Sequence, residues 1–73
     1  MTLYQFKLLR ERDQYNTVWE KGILVDARIT QQYKFLLYRV DTFYVEIQYN
    51  SESNKIMGLE CYVDLSTDYL NLN

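Results

Sequence analysis

The chain has 73 residues and a net charge of −2, which predicts a single domain over residues 1–73. Its one cysteine excludes an internal disulfide, and its lack of histidine argues against a zinc site. A domain this small therefore depends on tight packing or on oligomerisation, and the aromatic content of 16%, with eight tyrosines, favours tight packing.

The distribution of apolar and charged residues bears on the cellular compartment of the protein and on its partners. Residues 1–7 lack the apolar stretch of a secretory signal and no long apolar run follows, so we expect a cytoplasmic protein with no membrane partner. Residues 1–39 carry seven Lys or Arg and four Asp or Glu, a balance of +3, whereas residues 40–73 carry one and six, a balance of −5. Either neighbouring strands offset these charges, or a bipolar surface steers a partner or pairs two copies.

Residues 2–9 alternate between apolar and polar side chains, which predicts a first strand. Tyr4, Phe6 and Leu8 share one of its faces. We expect this strand to pair antiparallel with the last strand, because all-antiparallel sheets are the commoner type in short chains. The alternative is a parallel position beside the second strand.

Residues 10–21 are predicted to form an amphipathic helix of about three turns. Tyr15, Val18 and Trp19 follow the i, i+3, i+4 spacing of a single apolar stripe, and Trp19 is expected to anchor that stripe in the core. Gly22 stands where a helix C-cap with positive φ is expected. The stripe therefore predicts a helix that lies on one face of a sheet.

Residues 23–30 alternate cleanly and predict the second strand. A turn at Gln31 and Gln32 pairs residues of the second and third strands whose residue numbers sum to 63. Glutamine is a poor turn residue. The expected pairs are Ile23 with Val40, Val25 with Tyr38, Ala27 with Leu36 and Ile29 with Lys34.

Residues 33–50 read as two strands joined by a two-residue turn at Asp41 and Thr42. This turn collects apolar side chains on one face, and a slip of one residue would mix the two faces, so the pattern itself specifies the register. The expected pairs are Val40 with Phe43, Tyr38 with Val45, Leu36 with Ile47 and Lys34 with Tyr49.

A polar loop at residues 50–54 leads to a last strand at residues 55–64. Ser66 or Thr67 is then expected to cap a short C-terminal turn. A three-residue loop tip at 51–53 predicts the pairs Ile47 with Met57, Val45 with Leu59 and Phe43 with Cys61, which makes Cys61 a core residue.

These elements define an α+β domain. Its centre is an antiparallel meander of the strands at residues 23–30, 33–40, 43–50 and 55–64, with the amphipathic helix packed on the apolar face. The strand at residues 2–9 is expected beside the last strand. The order along the chain is one strand, the helix, the remaining strands and a short C-terminal turn.

Three short runs carry the most specific pattern in the sequence: Trp19-Glu20-x-Gly22, Leu36-Leu37-Tyr38-x-Val40-Asp41 and Phe43-Tyr44-Val45-Glu46. In this pattern, and over most of its length, the chain resembles a family of small uncharacterised bacterial proteins of similar size. The resemblance implies a coherent domain in a bacterial protein. It implies no particular activity, cofactor or site.

The sheet face that points away from the predicted helix is neither clearly polar nor clearly apolar. Tyrosine and arginine are enriched at binding hot spots, so this face is a candidate interaction surface. The alternative is ordinary cross-strand packing, with Arg28 over Phe35 and Arg39 over Tyr44 as cation–π pairs. The residues predicted to form the interaction surface are Arg28, Tyr33, Phe35, Leu37, Arg39, Tyr44, Glu46 and Tyr62.

No motif for catalysis, cofactor binding or metal binding stands out, so the sequence predicts no enzyme and no cofactor. Asp26 and Glu46 are expected to align across three strands, about 10 Å apart, where salt bridges to Arg28 and Arg39 are favoured over catalysis. Nucleic-acid binding by the aromatic face is an alternative, but the carboxylates of that face, Glu46 included, disfavour it because they repel phosphate.

The sequence thus favours a non-enzymatic protein-interaction module. Its expected partner is a protein. That partner is either a second copy of the chain, in a homodimer, or a larger protein toward which this chain acts as an inhibitor or immunity-type partner. Small size, the lack of catalytic motifs and the Tyr- and Arg-rich face support this interpretation.

Overall fold

The computed structural model describes residues 1–63, which form two helices and a four-stranded antiparallel sheet. The elements are α1 (Leu3–Lys7), α2 (Glu11–Lys21), β1 (Ile23–Ile29), β2 (Tyr33–Val40), β3 (Phe43–Asn50) and β4 (Ile56–Tyr62). The strands lie in chain order, β1-β2-β3-β4, so these residues form the α+β meander that the sequence predicts. The turn predicted at Ser66 or Thr67 lies outside the described residues.

The strand predicted at residues 2–9 is wrong, because this segment forms the helix α1 instead. Thr2 begins α1 with a capping box. Its hydroxyl accepts a hydrogen bond from the Gln5 N–H at 3.1 Å, and the Gln5 side chain accepts one from the Thr2 N–H at 2.9 Å. Phe6 is buried whereas Tyr4 is exposed, so the alternating pattern does not describe one face. Neither placement predicted for a strand here applies.

The helix predicted at residues 10–21 is α2. Val18 is fully buried and Tyr15 packs against the core. The prediction that Trp19 anchors the helix is wrong, because 52% of Trp19 is exposed and its ring stacks on Tyr15 with 5.8 Å between centroids. Successive helix positions lie about 100° apart, so a helix that directs Val18 at the sheet turns Trp19 to its flank.

Gly22 joins α2 to β1, and it is required for space rather than for positive φ. Its φ is −75°, so the left-handed C-cap predicted here is wrong. The Gly22 N–H donates to the Val18 carbonyl at 2.7 Å. A Cβ at this position would lie 3.2 Å from the Tyr38 Cβ and closer still to the Val18 carbonyl oxygen. The start of β1 is therefore held tightly between α2 and β2.

A bulge at Val25 divides β1, and the β1–β2 register changes there. From Asp26 onward the predicted register is confirmed, whereas the preceding residues are displaced by one. The strand is held at both ends, by Gly22 and by the Thr30 N–H that donates to the Tyr33 carbonyl at 2.7 Å, so the bulge takes up the extra residue. Ile23 opposes Arg39 rather than Val40, Leu24 rather than Val25 opposes Tyr38, and Ala27 opposes Leu36 and Ile29 opposes Lys34 as predicted.

Strands β2 and β3 form the predicted hairpin with every pair in the predicted register. Asp41 adopts a φ of 52° in the turn, a conformation that aspartate tolerates better than most residues. The ammonium group of Met1 binds the Asp41 carboxylate at 2.5 Å, which ties the start of the chain to the hairpin tip.

The β3–β4 register predicted from the sequence is wrong by two residues. The loop is longer than the predicted tip at 51–53, because the Asn50 N–H donates to the Lys55 carbonyl at 2.9 Å and Asn54 adopts a φ of 58°. Between Tyr44 and Gln48 the shift is even, so the opposed β4 residues keep their predicted faces and Cys61 still packs against the core. The register is irregular between Gln48 and Tyr49, which places Ile56 opposite Tyr49. The observed pairs are Ile47 with Leu59 and Val45 with Cys61, in place of Ile47 with Met57, Val45 with Leu59 and Phe43 with Cys61.

The core lies between the two helices and the β2–β3 hairpin. Phe6 of α1 packs on Phe43 of β3 with 5.3 Å between ring centroids. Strand β1 contributes none of the buried residues and is exposed along nearly its whole length. The helices therefore shield the middle of the sheet and not its β1 edge. The core residues are Phe6, Val18, Val40, Phe43, Val45 and Ile47.

Candidate interaction surfaces

The eight residues predicted to form an interaction surface lie together on the second face, defined here as the sheet face opposite the helices. Opposed residues of neighbouring strands share a face, so the observed registers bring these side chains into one group. Arg28 opposes Phe35, Leu37 opposes Glu46, Arg39 opposes Tyr44, Tyr44 opposes Tyr62, and Tyr33 lies at the start of β2.

The second face is more buried than an accessible binding surface would be. Only 1% of Leu37 and 7% of Glu46 are exposed. Arg39 is the only exposed residue among the eight. The role of this face in binding therefore stays a prediction. The remaining five residues are half-buried, namely Arg28, Tyr33, Phe35, Tyr44 and Tyr62.

Arg28 links three strands across the second face. Its guanidinium lies 4.8 Å from the centroid of the Phe35 ring, so the predicted cation–π pair is confirmed. One terminal nitrogen donates to the Glu46 carboxylate at 3.4 Å, and Phe35 in turn packs against Tyr33. Arg28 thus neutralises a buried carboxylate, and this engagement counts against a role in binding phosphate.

A pair of carboxylates lies beside a small cavity on the same face. Glu46 opposes Glu60, and like charges in opposed positions are destabilising. Burial raises the pKa of Tyr62, and the negative charges of Glu46 and Glu60 raise it further. The cavity has a volume of about 170 Å³, below the roughly 300–1,000 Å³ of typical small-molecule sites. It is lined by Glu46, Gln48, Met57, Gly58, Leu59 and Glu60.

Of the residues considered for catalysis or metal binding, Glu46 and Cys61 have structural roles, whereas Asp26 is exposed. Asp26 and Glu46 align across three strands through Leu37, as predicted, and Glu46 forms the expected salt bridge with Arg28. Cys61 packs against the core, and burial raises the pKa of its thiol. Within residues 1–63, no three potential metal ligands lie close enough to hold an ion.

The sequence did not reveal that an apolar edge of the sheet is exposed. Strand β1 is the outermost strand of the sheet formed by residues 1–63. We define the β1 edge as Ile23, Leu24, Val25 and Ile29, which are 57%, 53%, 45% and 73% exposed. An exposed strand of this kind offers both apolar side chains and backbone hydrogen-bonding groups to a partner.

Trp19 adds an exposed aromatic ring one helical turn before β1 begins. It is stacked on Tyr15 with an angle of 27° between the ring planes. Tryptophan and tyrosine are the residue types most enriched at interaction hot spots. The segment that leads into the β1 edge therefore has the exposed aromatic composition that is typical of a binding surface.

The chain matches no family model, and comparisons with curated proteins and with solved structures find no match. The resemblance to a family of small bacterial proteins therefore stays a prediction. In the described part of the chain, neither helix has the length and apolarity needed to cross a bilayer. The function has to be inferred from the surfaces of the molecule itself.

Proposed function

We propose that the protein is a non-enzymatic, cytoplasmic protein-interaction module that binds its partner along the β1 edge. The observation that carries this proposal is the exposure of four large apolar side chains, between 45% and 73%, on the outermost strand of the sheet. Monomeric proteins rarely expose contiguous apolar surface of this kind unless it serves binding. The proposal places the contact on β1 rather than on the more buried second face.

Strand addition is the binding mode that suits this edge. The outer side of a sheet-edge strand presents backbone N–H and C=O groups to which a partner strand can bind. The apolar side chains of the β1 edge would be removed from water in the same step, which contributes roughly 25 cal/mol per Å² of apolar surface. Backbone pairing supplies general affinity, and the side chains supply specificity.

Two features of β1 restrict which strands it accepts. The bulge at Val25 interrupts the regular ladder, and the charged Asp26 lies exposed in the middle of the strand. Bulges and charges on edge strands prevent unselective aggregation. A strand that binds here has to match both features, so we propose a specific protein partner. That partner is either a second copy of the chain or a larger protein that it inhibits or protects.

Site-specific photo-crosslinking in the cells that make the protein tests this function. A benzophenone amino acid replaces Ile29 on β1, and in the control it replaces Leu8, which is 69% exposed but lies outside β1. We expect a discrete adduct from position 29 and none from position 8. Leu24→Lys in the same chain should reduce the yield of that adduct. Equal labelling from both positions, or no adduct from position 29, contradicts the proposed function.

A further inference from the structure

The backbone of β1 determines which groups a second strand can reach. The Thr30 N–H donates to the Tyr33 carbonyl of β2 at 2.7 Å, so the backbone groups of Thr30 point inward. Backbone direction alternates along an antiparallel strand. Arg28 and Asp26 therefore also direct their backbone groups toward β2, whereas Ile29 and Ala27 direct theirs outward.

Outward groups must meet outward groups, which leaves three two-fold registers for pairing β1 with its own copy, with the axis between Asp26 and Arg28, because an axis at Ile29 would pair Ala27 and Arg28 with residues beyond the end of β1. The two-fold axis passes through Asp26, Ala27 or Arg28. The first register places Asp26 opposite Asp26, and the third places Arg28 opposite Arg28. The register centred on Ala27 places each Asp26 opposite the Arg28 of the other copy. Opposite charges in facing positions stabilise a strand pair and like charges destabilise it, so the charges select the register centred on Ala27.

We infer that β1 pairs antiparallel with β1 of a second copy, centred on Ala27, and this inference rests on the proposed function. Each Ala27 N–H donates to the Ala27 carbonyl of the other copy. Asp26 lies opposite Arg28 twice, by symmetry. The two four-stranded sheets become one continuous eight-stranded sheet, with all four helices on the same side.

Apolar side chains of the β1 edge face each other in the same register. Val25 lies opposite Ile29 of the other copy, and these residues are 45% and 73% exposed in the single chain. Both flank Ala27, which is also exposed. Pairing therefore buries apolar surface on one side of the new sheet and joins opposite charges on the other.

Arg28 contributes to this pairing without leaving its contacts in the chain. Its guanidinium donates to Glu46 at 3.4 Å through one terminal nitrogen. An arginine side chain carries five N–H donors, so one group can serve two carboxylates. Glu46 is nearly buried, and Asp26 of the other copy would bring a second negative charge to the exposed side of Arg28.

The symmetry of this contact explains why it stops at two copies. A contact between β1 of one chain and β4 of the next would leave a new edge at each end and grow into a filament. Pairing β1 with β1 uses the same strand of both copies and closes the assembly. The bulge at Val25 limits the regular ladder to the residues near Ala27, so we expect a dimer that dissociates on dilution.

Disulfide trapping tests the inference in the full chain. Cys61→Ala removes the native thiol, and Ala27→Cys places a new one on the two-fold axis. Opposed residues of a hydrogen-bonded pair lie about 5.5 Å apart at Cα, within the range of a disulfide. The matched control is Ile29→Cys in the same background, because Ile29 lies opposite Val25 rather than opposite itself. With oxidised glutathione, we expect the Ala27→Cys chain to form a disulfide dimer at least about tenfold faster than the control.

A second experiment tests whether the charges of Asp26 and Arg28 select the register centred on Ala27. Asp26→Lys in the Ala27→Cys chain places two positive charges opposite each other and should slow trapping by about tenfold. If Cys61→Ala does not fold, the same variants with Cys61 retained can be compared by locating the disulfide in digested peptides. Equal trapping rates at positions 27 and 29 would overturn the inference, because unspecific collisions predict that result.

The photo-crosslink from position 29 separates this inference from the proposed function. An adduct of twice the chain mass supports pairing between copies. An adduct with a different protein overturns that pairing and leaves the proposed function standing, whereas no adduct overturns the proposed function itself.

Discussion

Phe6 of α1 and Phe43 of β3 pack ring against ring, with centroids 5.3 Å apart and ring planes tilted by 54°. Both side chains are fully buried, so this contact fastens the first helix to the central hairpin. Helix α1 has only five residues, too few to be stable alone, so its formation depends on the burial of the Phe6 ring.

Phe6→Ala is therefore expected to lower the free energy of unfolding by about 3–5 kcal/mol, because it removes a buried ring and leaves a cavity. Urea denaturation followed by circular dichroism measures the loss. Phe6→Leu keeps most of the volume and should cost clearly less. The matched control is Tyr4→Ala in the same helix, where 73% of the side chain is exposed and a change within about 0.5 kcal/mol is expected. Equal losses at both positions contradict the anchor role.

The two glycines of the chain should respond differently to alanine. A Cβ at Gly22 would collide with the Val18 carbonyl oxygen and crowd Tyr38, so Gly22→Ala is expected to lower the free energy of unfolding by more than about 1 kcal/mol. At Gly58 a Cβ meets no atom within 4 Å, and its φ is not positive. Gly58→Ala should be neutral or slightly stabilising because it restricts the unfolded chain. Thermal unfolding of both variants checks the difference, and a tolerated Gly22→Ala contradicts the close approach.

The salt bridge of Met1 with Asp41 predicts a stability difference that depends on pH. The hydrogen bond and the charge of the N-terminal ammonium lower the pKa of Asp41. The folded state therefore gains stability above the ordinary aspartate pKa of about 3.9, and this gain disappears as the pH falls through the lowered pKa. The melting temperatures of the wild type and Asp41→Asn should differ at pH 7 and converge in acid. Acetylation of the Met1 amine should remove the difference, and a difference that persists unchanged in acid contradicts the salt bridge.

The ion pair of Arg28 with Glu46 should show coupling in a double-mutant cycle. Arg28→Met leaves a nearly buried carboxylate without its cation, so we expect it to cost about 1–3 kcal/mol of unfolding free energy. Adding Glu46→Gln should recover about 1 kcal/mol of that loss. Urea denaturation of the four proteins at low concentration gives the coupling. Strictly additive effects contradict an energetic link between the two side chains.

The central hairpin was predictable because two independent signals agree. Alternation in β2 and β3 specifies which residues face the core, and the turn at Asp41 and Thr42 specifies the register. For β4 the alternation specified the face correctly from Gly58 onward but not at Ile56, which lies opposite Tyr49. Alternation does not specify the length of the loop after Asn50, so the predicted β3–β4 register differs from the observed register by two residues.

The first helix was missed although the sequence carries its signal. An alternating run of a few residues is compatible with a short helix, and Thr2 with Gln5 forms the capping box that favours it. The bulge at Val25 could not be read from β1 alone, because it depends on the tight packing of Gly22 against Tyr38. The alternation of apolar and polar residues along one strand does not report contacts with residues distant in the sequence.

The exposure of the β1 edge was also not predictable from the sequence pattern. Alternation shows which side of a strand is apolar, but it does not show whether another element covers that side. The longer helix α2 has eleven residues, about 16 Å, and it packs across the middle of the sheet. Its buried contact is Val18 rather than the larger Trp19, so the apolar side chains of Ile23, Leu24 and Ile29 stay exposed.

Solution mass tests most directly the claim that the chain binds a second copy through β1. Light scattering over a concentration series should compare the wild type with Ile29→Lys, which places a charge on the β1 edge at a side chain that is 73% exposed. We predict that the wild-type mass rises from one chain toward two, whereas Ile29→Lys stays at one chain and keeps the circular dichroism spectrum of the fold. A wild type that remains a single chain up to millimolar concentration, or an Ile29→Lys variant that associates equally well, contradicts the claim.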